Sequence, residues 1–275
     1  MKISLLQPDI VWGTPEANQD KLAELLWGIE PSDLYVLPEM FSTGFAVNPE
    51  GIAEENDSSL EWMQRMAKEL KGAICGSVAV AKSDICGNTT VAKSDTGLVQ
   101  GAEGESVATK SYFNRCYFVK PNGEYFSYDK HHLFTYADEH RHYTCGKERM
   151  VVEFRGVRFL LQVCYDLRFP CFSRNTDKIP YDCAIYVASW PTSRLSAWNT
   201  LLHARAIENQ CYVAGVNRIG EDESGKYSGG TLLVDPYGNT VAACPLGEES
   251  VISVELDLQA LRVFRKKFPV LKDAD

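Results

Sequence analysis

Leu160 to Pro170 reads LLQVCYDLRFP, an apolar run that stops at Cys164 and passes at once into a polar turn. A strand that delivers a cysteine to its carboxyl end and then breaks into a turn follows the logic of a nucleophile elbow. Taken alone, one free cysteine among nine reads as a small buried hydrophobe. Tyr165, Asp166 and Arg168 suit a core poorly, however, and turn the reading toward function. Asp166 and Arg168 are expected to fix the elbow through an ion pair or hydrogen bonds, and Phe169-Pro170 to open a helix.

Outward from this strand the chain alternates. Lys2 to Gln7 is extended; Thr14 caps a helix with Pro15 in its first position, and Leu22, Leu25, Leu26 and Ile29 recur on one helical face. Leu34 to Leu37 is a short apolar strand running into Pro38-Glu39. Ser58 and Glu61 form a capping-box pattern ahead of a helix with Leu60, Met63, Ala67 and Leu70 as its buried stripe, and Ala73 to Val80 is the next strand. Residues 81 to 111, with VAKSD at Val80 to Asp84 and again at Val91 to Asp95, read as an irregular excursion. Cys116 to Val119 and Glu124 to Tyr128 flank Pro121-Asn122-Gly123, a hairpin signal that leaves Lys130 at a strand end. Met150 to Glu153 and Val157 to Val163 form a second hairpin. Cys183 to Ala188, a helix marked by Leu195, Trp198, Leu202 and Ala206, and Tyr212 to Val216 follow. Gly230 to Val234, Thr240 to Ala243 and Val251 to Leu256 end the sheets before a last helix, with Gly229-Gly230 read as a bend. Helices alternating with buried strands give an α/β fold, and the excess of strands gives two sheets packed between helical layers.

The 275 residues, 45% of them hydrophobic, suffice for one large core. No linker divides the chain, so one domain over 1–275 is expected. A net charge of −9 disfavours a nucleic-acid partner. No apolar run approaches the roughly 20 residues of a membrane span, and the first residues lack the apolar segment of a signal peptide. The odd cysteine count without a CxxC pair argues against a disulfide framework and zinc ribbons. A reducing cytoplasm suits such a chain.

Three strand ends present a chemical group: Glu39 in VLPEMFSTGF, Lys130 in YDKHHLF and Cys164 in QVCYDLRFP. Singly, Glu39 reads as a turn carboxylate and Lys130 as a solvated lysine. Together they read as a site where strand carboxyl ends meet. His131, His132, Asp138, His140, His142 and Cys145 carry zinc-ligand chemistries, but adjacent histidines point apart and the spacing is a weak metal pattern; a loop at a pocket mouth is the favoured reading.

These segments, with VASWP at Val187 to Pro191, ARAIENQ at Ala204 to Gln210, and Glu139-His140 before Gly146, resemble the nitrilase superfamily of carbon–nitrogen hydrolases over nearly the whole chain. The resemblance implies a four-layer αββα sandwich and a Glu39, Lys130, Cys164 triad with neither metal nor organic cofactor. Cys164 would form a thioester, Glu39 would act as general base, and Lys130 with the Tyr165 backbone N–H would bind the oxyanion. The Lys130 charge would favour the ionised thiol. Glu139 would orient Lys130; Phe45, Arg168 and Trp190 are candidates for contact with substrate, and Arg168 and Arg194 are candidates for binding a substrate anion. CYDLRFP, VASWP and ARAIENQ look most like the ω-amidase branch, which hydrolyses the terminal amide of 2-oxo acid amides such as 2-oxoglutaramate. An amidase for deaminated glutathione or N-carbamoyl compounds, a nitrilase proper, a zinc-dependent hydrolase and a catalytically silent binding protein remain as alternatives. The partners implied are a small amide, water and a second copy of the chain, with no nucleic acid and no membrane.

Overall fold

The computed structural model describes residues 1–84 and 109–273. Its strands are β1 (Lys2–Gln7), β2 (Leu34–Val36), β3 (Ala73–Asp84), β4 (Thr109–Val119), β5 (Tyr125–Asp129), β6 (Met150–Phe154), β7 (Val157–Val163), β8 (Cys183–Ala188), β9 (Tyr212–Asn217), β10 (Ile219–Asp222), β11 (Gly225–Ser228), β12 (Leu232–Val234), β13 (Thr240–Ala243) and β14 (Ser250–Glu255). The helices are α1 (Pro15–Trp27), α2 (Ser58–Leu70), α3 (Glu139–His142), α4 (Leu195–Asn209) and α5 (Leu258–Lys267).

Two six-stranded sheets form, in the orders β14-β1-β2-β3-β4-β5 and β13-β12-β9-β8-β7-β6. Each has a parallel centre, β1-β2-β3 and β7-β8-β9, extended by antiparallel strands. Side-chain alternation explains the layers. On β7, Phe159, Leu161 and Val163 face the other sheet while Leu160 faces away; on β8, Cys183, Ile185 and Val187 face in while Ala184 and Tyr186 face out. Opposite them Ile3, Leu5, Leu34, Val36 and Cys75 line the first sheet's inner face. Leu6, Tyr35 and Ile74 point outward to Leu22 and Leu26 of α1 and Met63 and Ala67 of α2. Trp198, Leu202 and Ala206 of α4 cover the second sheet. A one-residue slip in any central strand would exchange these sets, and each buried Leu or Ile contributes about 1.5–3 kcal/mol relative to exposure. The result is the expected αββα sandwich.

Several local expectations fail. Thr14 occupies the α1 N-cap position without a side-chain cap bond; its hydroxyl donates to Val11 O instead. Ser58 and Glu61 form no capping box, because Asp57, in left-handed conformation, takes the N-cap position. The α2 start is satisfied from a distance, Ser59 N donating to Glu54 Oε2 at 2.9 Å. Phe169-Pro170 opens no helix; the 3₁₀ turn Cys164–Arg168 comes before it and irregular chain follows. The supposed excursion is strand at both ends, since β3 continues to Asp84 and β4 begins at Thr109; the second VAKSD lies outside the described residues. The hairpin β10–β11 was not expected. Gly229, at φ +78°, precedes β12 where an added Cβ would lie 2.2 Å from the Gln7 side chain, so the bend there requires glycine.

Candidate active site

The carboxyl ends of β2, β5, β7 and β8 lie at one end of the sandwich. Glu39 follows β2 through Pro38, Lys130 follows β5, Cys164 follows β7, and Ser189-Trp190 follow β8. Two of these turns are strained: Met40 has φ +46° and Cys164 φ +44°, a region that costs a non-glycine residue about 1–3 kcal/mol. The Cys164 conformation supports the elbow reading, because it turns the thiol out of the strand's alternation into the space between the sheets.

Glu39, Lys130 and Glu139 are all buried. The Lys130 ammonium donates to Glu39 Oε1 at 3.0 Å and to Glu139 Oε1 and Oε2 at 2.9 Å each. Its three N–H groups are thereby engaged. Glu39 Oε1 also accepts from Asn114 Nδ2 at 2.8 Å, and Oε2 accepts from Ser189 N at 2.8 Å, a bond that joins the two sheets. Glu139 Oε2 accepts from Phe134 N at 2.6 Å. Gly146 N caps the carbonyl of Lys130 at 3.0 Å, and a Cβ there would meet Asp129 O at 2.0 Å, which explains a glycine beside the lysine.

Burial works against charge on Lys130, but Glu139 and Glu39 outweigh it and hold the ammonium well above the ordinary lysine range. Burial, with Glu39 adding to it, raises Glu139 against the pull of Lys130. The Cys164 thiol, half-buried, is pushed well above its usual value by burial and then by Glu39, which faces it, with Lys130 opposing. The Lys130 charge pulls toward the ionised thiol, the direction expected of it, and desolvation with the adjacent carboxylate outweighs that pull.

The floor of the cleft, which is open to solvent, carries Glu39, Lys130 and Cys164. Phe45, Phe134, Trp190 and Tyr227 wall it, the Phe45 ring lying 5.3 Å from the Lys130 ammonium. Arg168 and Arg194 also line it. Arg168 stacks over Trp190 at 5.1 Å and Arg194 over Phe134 at 5.1 Å. Among the described residues neither guanidinium has a carboxylate partner. Asp166 accordingly does not pair with Arg168; it bonds His132 Nδ1 at 2.8 Å. His131 bonds Gly146 O through Nδ1, Asp138 pairs with exposed Arg141, and Cys145 is exposed. No group of three or more His, Cys, Asp or Glu among the described residues could hold a metal ion.

Sequence reading missed Asn114, Ser224 and Tyr227, the last two presented to the cleft by β10–β11. Asn114 carried a signal: it is two residues before Cys116 and four before Phe118, both inward-facing, so a polar group falls on the apolar register of β4. The hairpin, IGEDESGKYS, has no apolar alternation that could have announced it.

A four-layer sandwich with a thiol, a carboxylate and an ammonium gathered at one end of its sheets defines a class, the nitrilase superfamily. Within it the description Carbon-nitrogen hydrolase matches residues 2–266, and the chain belongs to that family. It is 42% identical to the ω-amidase YafV of Yersinia enterocolitica, covering all of this chain and 97% of that one. It is 34% identical to the 2-oxoglutaramate amidase of Bacillus subtilis, over 98% of this chain and 96% of the relative. A carbon–nitrogen hydrolase superfamily protein from Xanthomonas campestris, with an arsenic adduct in its active site, superposes with a TM-score of 0.87 at 36% identity, covering 100% of this chain and 97% of the other.

Proposed function

We propose that this protein is an ω-amidase that hydrolyses the terminal amide of 2-oxo acid amides such as 2-oxoglutaramate, giving the 2-oxo acid and ammonia. One observation carries the reading: a thiol faces a buried carboxylate in a cleft also lined by two guanidiniums that no acid among the described residues neutralises. A substrate with an amide at one end and a carboxylate at the other fits that polarity, its carboxylate taken by Arg168 and Arg194 through charge-assisted hydrogen bonds. The full-length identity to ω-amidases supports it.

In this mechanism Cys164 Sγ attacks the amide carbon as Glu39 takes the thiol proton. Among the described residues Glu39 Oε1 already accepts two bonds and Oε2 one, so Oε2 has the lone pair free to receive it. Protonation discharges Glu39 and weakens its hold on Lys130 at the moment an oxyanion appears. A Lys130 N–H then turns to that oxygen, beside the N–H of Tyr165, which as the second residue of a 3₁₀ turn is not consumed within it. Glu39 returns the proton to the departing ammonia, leaving the thioester, and next deprotonates the water that hydrolyses it. Glu139 keeps the ammonium in place throughout. Phe45 and Trp190 wall the cleft beside the reacting atoms.

The chain acts as one catalytic domain in the cytoplasm, as a homodimer. An exposed apolar group at α4, α5 and the β12–β13 turn supports the dimer: Ile207, Tyr237 and Phe268 are exposed, and the Tyr237 ring packs 4.1 Å from Phe264. No helix among the described residues is long and apolar enough to cross a membrane.

The test is steady-state ammonia release from 2-oxoglutaramate, deaminated glutathione and N-carbamoyl amino acids by wild type and Cys164→Ala, with circular dichroism of both. Highest kcat/KM on 2-oxoglutaramate, lost in the variant, is expected. Faster turnover of another amide overturns the substrate, and an active Cys164→Ala overturns the nucleophile.

A further inference from the structure

Lys130 and Cys164 follow strands of different sheets, β5 and β7, yet the proposed chemistry needs the ammonium at a fixed distance from the sulfur. One buried carboxylate spans the gap. Asp166 Oδ2 accepts from Tyr128 OH at 2.7 Å and from Val163 N at 3.0 Å. Its Oδ1 accepts from His132 N at 2.9 Å and lies 2.8 Å from His132 Nδ1. Tyr128 and His132 stand two residues either side of Lys130, while Val163 and Asp166 bracket Cys164. The Tyr128 oxygen also accepts from His131 N at 3.2 Å. Stacking reinforces the same union: His132 on Phe169 at 3.8 Å between centroids and His131 on Phe172 at 4.0 Å.

We infer that Asp166 and His132 are positioning residues, a clasp that sets the Lys130 ammonium against the Cys164 sulfur and holds the elbow in its left-handed conformation. The inference rests on the proposed roles of Lys130 and Cys164. All four acceptor positions of the carboxylate are filled, two by the lysine's segment through His132, one by Tyr128 just before it and one by the backbone of the elbow. A carboxylate serving only the elbow would not reach across to His132. Sequence reading grouped His131 and His132 with zinc chemistry; the geometry spends both rings on this junction. Displacing a reacting group by about 1 Å costs on the order of 10²-fold in rate, so a loosened clasp acts on catalysis before it acts on folding.

His132, on the cleft-remote side of the clasp and partly exposed, is the residue to change. His132→Phe keeps the stack on Phe169 and loses the Nδ1 bond; His132→Asn returns an N–H at that place. Ammonia release is measured with peptide-resolved alkylation of Cys164 by iodoacetamide, in wild-type and Lys130→Gln backgrounds, with thermal midpoints recorded. The expected result for His132→Phe is a roughly 10–100-fold lower kcat, a KM within about twofold and slower Cys164 alkylation, because Lys130 no longer favours the thiolate. His132→Asn should recover most of both, and in Lys130→Gln the His132→Phe change should slow alkylation no further. An equal slowing in both backgrounds, or an unchanged kcat, overturns the clasp. If Lys130→Gln alone leaves turnover and alkylation intact, the catalytic role of Lys130 falls instead, and the clasp with it for want of anything to position.

Discussion

Two buried charge clusters adjoin the same cleft, and only one of them is built for chemistry. Arg218, fully buried, donates to Asp222 at 2.5 Å, to Ile10 O at 2.6 Å and to Ile219 O at 3.1 Å, with the Tyr227 ring 4.5 Å from its guanidinium. Asp222 Oδ1 receives Tyr227 OH and Ser224 N. One cation meets one anion, and the phenol that lines the cleft is tied down behind. The Lys130 cluster instead sets two carboxylates against one ammonium and leaves a lone pair on Glu39 toward a thiol. Burial of charge therefore does not distinguish a reaction centre from a strut. Imbalance and an unfilled acceptor do, because only they leave a proton somewhere to go.

Removing the unfilled acceptor should have the largest effect. Glu39→Gln is expected to lower kcat by roughly 10²–10⁴-fold without lowering the thermal midpoint, since it relieves a surplus negative charge. A variant that unfolds would make Glu39 a strut and break the contrast. Arg218→Met tests the other cluster: stranding the buried Asp222 should cost about 3–5 kcal/mol of unfolding free energy in urea, while turnover per folded molecule changes far less than in Glu39→Gln.

The sign of the thiol's titration sharpens the comparison further. Burial and Glu39 raise Cys164, and Lys130 opposes them, so the pH midpoint of Cys164 alkylation should lie above the roughly 8.5 of a free thiol. It should fall in Glu39→Gln and rise in Lys130→Gln. A raised folded-state value favours the fold below the unfolded thiol's pKa and loses that contribution as pH climbs through the folded one. Cys164→Ser should therefore lose less stability than wild type between neutral pH and strong alkali in chemical denaturation. The smallest effect is expected at Glu54, a carboxylate whose partners are the neutral Ser59 and Ser42. Glu54→Ala removes the borrowed cap of α2 and should cost about 0.5–2 kcal/mol, with kcat unchanged.

The central strands were legible because their apolar residues run or alternate in a way that burial on two faces demands; LLQV, CAIYVA and YVAGV needed no partner to be read. The caps were not. Thr14 and Ser58 are good cap residues, yet Val11 O took the first hydroxyl and Glu54 supplied the second helix from outside. IGEDESGKYS was invisible as a hairpin because Arg218 and the facing loop, not its own periodicity, hold it. Within the site, Glu39, Lys130 and Cys164 could be picked out by strand-end position, and Asn114 was legible from its place in the register of β4.

What the sequence determined by itself is therefore the layered architecture and the chemical groups carried to one end of it. Those follow from periodicity and turn chemistry, which act between near neighbours. The tertiary structure alone decided that Lys130 lies between two carboxylates, that Ser189 N reaches Glu39 across 150 residues of chain, that Asp166 serves His132 rather than Arg168, and that burial and Glu39 push the Cys164 thiol above its ordinary range. Each of these depends on desolvation and on Coulomb forces over a few ångströms of space, and separation along the chain carries no measure of either.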